Sequence, residues 1–187
     1  MATNIFHIFL INGDPYTLIG MAGDDLVLPE QFKMKLSELH NTCHRGFYAM
    51  YELTQETLYL RGITPREENE NYLSIKGIEP AKDSYQPDYH DPIMEIPFTG
   101  KIRLAKNFIN EPYFVKSYQK AIAFKTVFDI TLEDGRVVEV KNRSWEMKQK
   151  RDALRDCYKS GNKQEYYKFA NKLEKVLYSF SLDTDLE

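Results

Sequence analysis

The sequence is poor in cysteine, and Cys43 and Cys157 are its two cysteines. They lie far apart in the chain, which excludes both a disulfide framework and a CxxC metal or redox motif. With 187 residues, the chain is long enough to bury a hydrophobic core without disulfides or metals. We therefore expect reduced thiols and a cytoplasmic protein.

Long apolar runs are also missing. The N-terminal run IFHIFLI, residues 5–11, is too short to span a bilayer, has no Lys or Arg before it and contains a histidine. It resembles a β-strand more than a signal sequence. The sequence therefore predicts no membrane partner.

Neither sign of charge is in large excess, because 25 Lys and Arg residues stand against 28 Asp and Glu residues, for a formal net charge of -3. Such a chain has no broad positive field to attract a phosphate backbone. P-loop, GxGxxG, HExxH, GxSxG and EF-hand patterns are absent as well. The sequence therefore assigns no catalytic, cofactor-binding or metal residue, and we lean against an enzyme.

Aromatic residues are abundant at 13% of the chain, with 13 Tyr and 11 Phe, and they concentrate in predicted β-hairpins. Residues 4–11 read as a strand that turns at NGDP into YTLIGMA, and GFYAMYEL and LYLRGI flank the loop TQET. A further strand begins near Gly100. The clearest hairpin is TVFDITLEDGRVVEVKN, because Asp134-Gly135 supplies the positive φ that a tight turn demands.

The C-terminal part changes to a helical period. Ser144 is a plausible N-cap for a helix that SGN breaks at residues 160–162, and apolar residues recur at helical spacing from Tyr166 to Phe180 in a second helix. We predict an α+β fold, an antiparallel aromatic-rich sheet of hairpins with a C-terminal two-helix hairpin. Residues 1–143 form a mainly β domain, and residues 144–187 pack on it as one compact unit.

The segment HNTCH contains His40, Cys43 and His44, whose side chains are of the type that binds zinc. A metal site needs three or four ligands, and no second cluster with ligand spacing exists. His7, His90 and Cys157 are isolated in the sequence. A metal-assisted hydrolase that uses His40, Cys43, His44 and His90 is the enzyme alternative.

The tract EPAKDSYQPDYHDP, residues 79–92, has three prolines and predicts a long connection that cannot form a central strand. Long connections often contain binding residues, so Tyr85, Asp88, Tyr89, His90 and Asp91 are the best candidates for a partner surface. We predict a protein-binding module without catalysis, of an immunity or accessory type. The partner is another protein, and the oligomeric state stays open.

Nucleic-acid binding is a further alternative, because both predicted helices are rich in basic residues. A solvated amphipathic face explains this pattern better, since acidic residues are interspersed and the net charge is negative. The basic residues are Lys148, Lys150, Arg151, Arg155 and Lys159 in the first helix, and Lys163, Lys168, Lys172 and Lys175 in the second.

The order RGFYAMYEL, LYLRGI, PFTGKIRL and DITLEDGRVV resembles a family of uncharacterised bacterial hypothetical proteins. The resemblance rests on an Arg-Gly-aromatic strand entry, a Leu-Tyr-Leu strand, a Phe-Thr-Gly turn and a later hairpin, and covers about the middle half of the chain. The chain departs from the family at Tyr51 and Pro97, where tryptophan is expected. The resemblance implies a recurrent architecture and no established activity.

Overall fold

The computed structural model describes residues 7–27, 29–35, 47–81, 88–109, 121–161 and 164. It contains eight β-strands, two short 3-10 helices at Pro29–Phe32 and Ala121–Ala123, and one α-helix in this part of the chain. The strands are β1 Ile8–Ile11, β2 Asp14–Gly23, β3 Phe47–Leu53, β4 Leu58–Pro65, β5 Tyr89–Glu95, β6 Gly100–Phe108, β7 Phe124–Glu133 and β8 Arg136–Asn142, and the helix is α1 Ser144–Lys159.

The strands form one mixed sheet in the order β5-β4-β3-β1-β2-β6-β7-β8. The three predicted hairpins β1–β2, β3–β4 and β7–β8 are present. In the last of these, Asp134 and Gly135 adopt φ values of 47° and 73°, as the tight turn requires.

The predicted fold class is wrong in two respects. The sheet is not purely antiparallel, because β1 and β3 run parallel, with Phe9 opposite Tyr51. A parallel pair needs a connection of a dozen or more residues, and residues 12–46, which include β2, separate β1 from β3 along the chain. Hairpin patterns do not reveal such a pairing. The described residues contain one α-helix and no two-helix hairpin, and the predicted second helix lies outside them except for residue 164.

The described residues divide into two compact units. Those within residues 1–17, 24–99 and 132–138 belong to unit 1, and those within 18–23, 100–131 and 139–187 belong to unit 2. In unit 1, β3 buries every second residue, from Phe47 to Leu53, as a period of two demands. The ring of Phe9 stacks on that of Tyr51 at 4.9 Å between centroids, within the core of this unit.

Unit 2 has its own core, built around one face of α1. Met147, Arg151 and Leu154 lie at helical spacing and are buried. The buried Arg151 guanidinium donates hydrogen bonds to the backbone carbonyls of Ile122 and Phe124, so its charge is held by carbonyl dipoles. The remaining apolar core residues are Ala105, Ala121, Ile122, Ala123, Phe124 and Val127.

The first predicted C-terminal helix is confirmed, but Ser144 is not its N-cap. Arg143 occupies the cap position, and Ser144 is the first helical residue. The Ser144 Oγ accepts a hydrogen bond from the Val127 N–H at 3.1 Å, and the Ser144 N–H donates to Asn142 Oδ1 at 2.9 Å. The serine therefore fixes the helix start to β7 instead of capping its own turn.

Candidate functional site

Most of the residues proposed for metal-assisted hydrolysis cannot be placed. His40, Cys43, His44 and also Tyr85 lie outside the described residues. Among the residues that are described, no group of three or more His, Cys, Asp and Glu side chains lies together as a metal site would require. Convergence of His40 and His44 with His90 stays a prediction.

His7 has a structural role in unit 1. It is 8% exposed, its Nδ1 accepts a hydrogen bond from the Ala49 N–H at 3.1 Å, and its ring contacts those of Phe47 and Tyr51. This histidine is satisfied within the core.

One residue of the predicted partner tract, Tyr89, lies inside the protein instead of on its surface. Tyr89 is fully buried at the start of β5, and its hydroxyl donates to the Leu73 carbonyl at 2.6 Å. Burial, and to a lesser extent the charge of Glu79, raises the pKa of Tyr89 to about 12, so the hydroxyl remains a donor. Tyr89 therefore holds the loop and is not a contact for a partner.

The tract is also not a connection throughout, since Tyr89–Glu95 forms strand β5 at one edge of the sheet. An edge strand tolerates Pro92 because one side of its backbone has no neighbouring strand to receive an N–H. The prediction that this tract cannot form a central strand agrees with that position. The prediction of a continuous connection is wrong for residues 89–92.

β5 has a bulge in the middle of its pairing with β4. Leu60 lies opposite Met94 and Gly62 opposite His90, so three residues of β5, Asp91–Ile93, face the single residue Arg61. The register of β3 against β4 also shifts beside Arg61. Bulges at sheet edges turn side chains toward solvent and often lie beside functional sites.

Arg61 links the three strands that meet at this bulge. Its Nη1 donates to Glu52 Oε2 on β3 at 2.8 Å, and its Nε donates to Asp91 Oδ1 on β5 at 2.7 Å. The Arg61 side chain is 30% exposed and that of Asp91 is 62% exposed, so both ion pairs are partly screened by water. Sequence reasoning did not single out Arg61, because its partners are 9 and 30 residues away.

Ile93 is the most unusual residue of the bulge. Its side chain is 58% exposed although it is a large apolar residue, and its φ is 34°. A positive φ crowds a β-branched side chain against its own backbone and costs on the order of 1–2 kcal/mol. The fold therefore maintains an unfavourable conformation that presents an apolar side chain to solvent.

Two further side chains of the tract lie next to the bulge. The buried Thr64 hydroxyl donates to Asp88 Oδ1 at 2.9 Å, and His90 Nε2 lies 3.5 Å from Asp88 Oδ2. In a hydrolytic triad the histidine stands between the hydroxyl and the carboxylate. Here the carboxylate stands between them, so His90 cannot take the proton of Thr64 and this arrangement does not activate a nucleophile.

We define the β5 surface as Arg61, Asp88, His90, Asp91 and Ile93, all in unit 1. It places one exposed apolar side chain among charged and hydrogen-bonding groups. This composition is typical of a protein contact, with an apolar anchor and a polar rim. The sequence signal that could have revealed it is Pro92 followed by the apolar residues Ile93 and Met94, which is characteristic of a protected edge strand.

A polar cavity of about 460 Å³ lies at the β3–β4 turn of unit 1. Three charged residues, Glu52, Glu56 and Arg136, contribute to its lining. Glu52 is paired with Arg61, and Arg136 with Glu95 at 3.4 Å. Since two of the three charges are already paired, the cavity has little basis for selecting a charged small molecule.

The basic residues of α1 are largely engaged within the protein. Lys148 and Arg155 both pair with Asp152, at 2.8 Å and 2.9 Å, Lys150 pairs with Glu146, and Arg151 is buried. Neutralised and buried cations attract a phosphate backbone weakly. These contacts count against the nucleic-acid alternative on this helix, while the basic residues of the predicted second helix lie outside the described residues.

No helix in the described ranges has the length and apolar character needed to cross a membrane. Comparisons with protein-family models, curated proteins and solved structures found no match to the chain. The resemblance to a bacterial family therefore stays a prediction.

Proposed function

We propose that the chain is a non-catalytic protein-binding module that contacts its partner through the β5 surface. The observation that carries this proposal is Ile93, an isoleucine that is 58% exposed at a φ of 34°. Strain that a fold maintains at a solvent-exposed position is a recognised feature of binding sites. An immunity or accessory role in the cytoplasm is the biological setting that we propose for this activity.

The surroundings of Ile93 fit a protein partner better than a small molecule. The Ile93 side chain is 58% exposed, whereas a small ligand needs concave walls that enclose most of its surface. Around the apolar side chain, Asp91 and His90 provide a carboxylate and an imidazole on exposed side chains. A partner would bury Ile93 as the anchor and meet these groups at the rim.

Affinity capture with a matched pair of variants tests the proposal. The immobilised full chain is exposed to native lysate, and the retained protein is purified and titrated calorimetrically against the wild-type chain, Ile93→Asp and Ile8→Asp. Ile8 is a suitable control because it is another isoleucine with a 44% exposed side chain in unit 1.

We expect Ile93→Asp to weaken binding by at least about tenfold, since a buried carboxylate without a partner is unfavourable at an interface. We expect Ile8→Asp to bind like the wild-type chain. Failure to retain any protein, or equal affinity of Ile93→Asp and the wild-type chain, would contradict the proposal.

A further inference from the structure

The polar cavity at the β3–β4 turn is a concave site that the proposed function does not use. Its volume of about 460 Å³ lies within the range of small-molecule sites, about 300–1,000 Å³. All of the residues that line it belong to unit 1. Small-molecule sites are mostly apolar, whereas this one is lined mainly by polar side chains, so its ligand should be polar as well.

Hydrogen bonds within the protein hold the wall of the cavity that the β3–β4 turn forms. The Thr54 Oγ1 accepts a hydrogen bond from the Thr57 N–H at 2.9 Å and donates to the Thr57 carbonyl at 3.0 Å. The Glu56 carbonyl accepts a hydrogen bond from the Val137 N–H at 2.9 Å. Because this wall is already ordered, little conformational entropy is lost there when a ligand binds.

The charges at the cavity favour a neutral ligand. Glu52 pairs with Arg61 at 2.8 Å, and Arg136 pairs with Glu95 at 3.4 Å. A small cation would meet like charge at Arg136, and a small anion would meet like charge at Glu52 and Glu56. A ligand without net charge avoids both repulsions.

Planar polar groups that line the cavity fit neighbouring hydroxyl groups. They are the amides of Asn12 and Gln55 and the carboxylates of Glu52 and Glu56. An amide offers a donor and an acceptor side by side, and a carboxylate offers two acceptors. Since each hydroxyl both donates and accepts, two adjacent hydroxyls of a ligand can bond to one such group.

Tyr59 adds an aromatic ring to this polar lining. It lies directly opposite Glu52 on β3 and Glu95 on β5. Side chains in directly facing positions lie on the same side of a sheet, so carboxylates flank Tyr59 on both neighbouring strands. The Tyr59 side chain is partly exposed, and its ring provides an apolar face beside hydrogen-bonding groups.

We propose that the cavity binds a neutral saccharide, with a pyranose ring stacked on Tyr59 and its hydroxyls bonded to Gln55 and Glu56. A pyranose has an apolar C–H face and hydroxyls around its rim, and the cavity presents groups that match both. Ligands of about 12 non-hydrogen atoms bind weakly, so we expect a dissociation constant between about 0.1 and 10 mM. Ile93 does not line the cavity, and this inference does not rest on the proposed function.

Titration of the isotope-labelled full chain, followed by heteronuclear NMR, tests the proposal. The probes are D-glucose, D-galactose, D-mannose, N-acetyl-D-glucosamine, maltose and lactose, each added up to about 50 mM. We expect at least one of them to cause saturable shifts at residues 52–59, which line the cavity. D-sorbitol has similar hydroxyls but no ring face, so it should bind at least about fivefold more weakly.

Three variants locate the bound saccharide. Tyr59→Val removes the ring, keeps a residue suited to a strand and should weaken binding by at least about fivefold. Gln55→Ala, in the exposed turn, should weaken binding by at least about threefold through the loss of a hydrogen bond. Tyr48→Val is the matched control, because Tyr48 is a partly exposed tyrosine of unit 1 that does not line the cavity. It should bind like the wild-type chain.

Absence of saturable shifts with all of these saccharides at about 50 mM would overturn the proposal, as would saturable shifts that map only to residues outside the cavity. Wild-type affinity in Tyr59→Val or in Gln55→Ala would overturn the assigned contacts. Equal affinity for D-sorbitol and the bound saccharide would overturn the assignment to a pyranose ring. The NMR spectrum of each variant without saccharide establishes that a loss of binding is not a loss of folding.

Discussion

Substitution of Gly135 by alanine is expected to be much more destabilising than the same substitution at Gly13. Both glycines follow a hairpin turn residue and have similar φ values, +81° at Gly13 and +73° at Gly135. A Cβ atom at Gly13 would meet nothing within 4 Å, whereas one at Gly135 would lie 2.2 Å from the Ile96 carbonyl oxygen. Both sites therefore share the same backbone conformation, but only a side chain at Gly135 would clash with a neighbouring backbone segment.

The magnitude follows from these contacts. Gly13→Ala should cost about 1 kcal/mol, the usual penalty of an L-residue in the left-handed region. Gly135→Ala carries the same cost and must also separate two backbone segments by about 1 Å to reach ordinary contact. That movement weakens the bonds of Gly135 N–H to the Phe98 carbonyl and of Leu58 N–H to the Gly135 carbonyl, both 2.9 Å long. At about 1 kcal/mol for each bond, Gly135→Ala should cost about 3 kcal/mol or more.

Urea unfolding at pH 7, followed by far-ultraviolet circular dichroism, measures both variants against the wild-type chain. Equal slopes against urea concentration would show that the surface exposed on unfolding is unchanged, so that the midpoints report stability. If the two variants differed by less than about 0.5 kcal/mol, the close packing of the hairpin turn against Ile96 would be refuted.

Two further predictions concern charged groups of unit 1. Arg61→Gln removes the ion pairs to Glu52 and Asp91 and should lower the free energy of unfolding by about 1 kcal/mol. The loss should be smaller in 1 M NaCl, because salt screens both ion pairs in the wild-type chain. No effect on urea unfolding would contradict this role. The hydrogen bond from the Asn71 N–H to Glu67 holds the pKa of that carboxyl below its usual value of 4.5. Glu67→Gln should therefore be less stable than the wild type at pH 7, and the difference should disappear as the pH falls below about 4. A stability difference independent of pH in urea titrations would contradict this linkage.

The parts of the fold that local chemistry determines could be predicted from the sequence. Asp134-Gly135 predicts its hairpin because two adjacent residues set the turn. The helix Ser144–Lys159 could be predicted because the SGN tripeptide at residues 160–162 ends it, but its buried face, with Met147, Arg151 and Leu154, was not identified from the sequence. The parallel pairing of β1 with β3 depends on contacts across about forty residues, and no local pattern contains that information.

In the candidate site, too, the features set by local composition could be predicted and those set by strand pairing could not. The tract with Asp88, His90 and Asp91 was identified from its prolines and polar residues, because composition reveals exposure. Tyr89 was included wrongly. Whether a strand residue points into the core or toward solvent depends on its position in the strand, and the prolines of this tract gave no sign that Tyr89 begins one. Arg61 was missed because its importance arises from a bulge, which exists only once β4 and β5 are paired.

Ile93 connects stability with binding, and Ile93→Asn tests both. Asparagine tolerates a positive φ much better than a β-branched residue does. Because the Ile93 side chain is 58% exposed, its replacement removes little burial. We therefore expect Ile93→Asn to unfold at higher urea concentration, with a gain of about 0.5–1 kcal/mol, while it binds the captured partner more weakly.

The matched control for this gain is Ile8→Asn, which changes the same residue type where no positive φ occurs. That variant should lose stability, since asparagine is less suited to a strand than isoleucine. A loss of stability in Ile93→Asn equal to that of Ile8→Asn would show that the conformation at Ile93 is not strained. The reason to assign binding to this surface would then be gone, because an exposed isoleucine in a relaxed strand is common on protein surfaces.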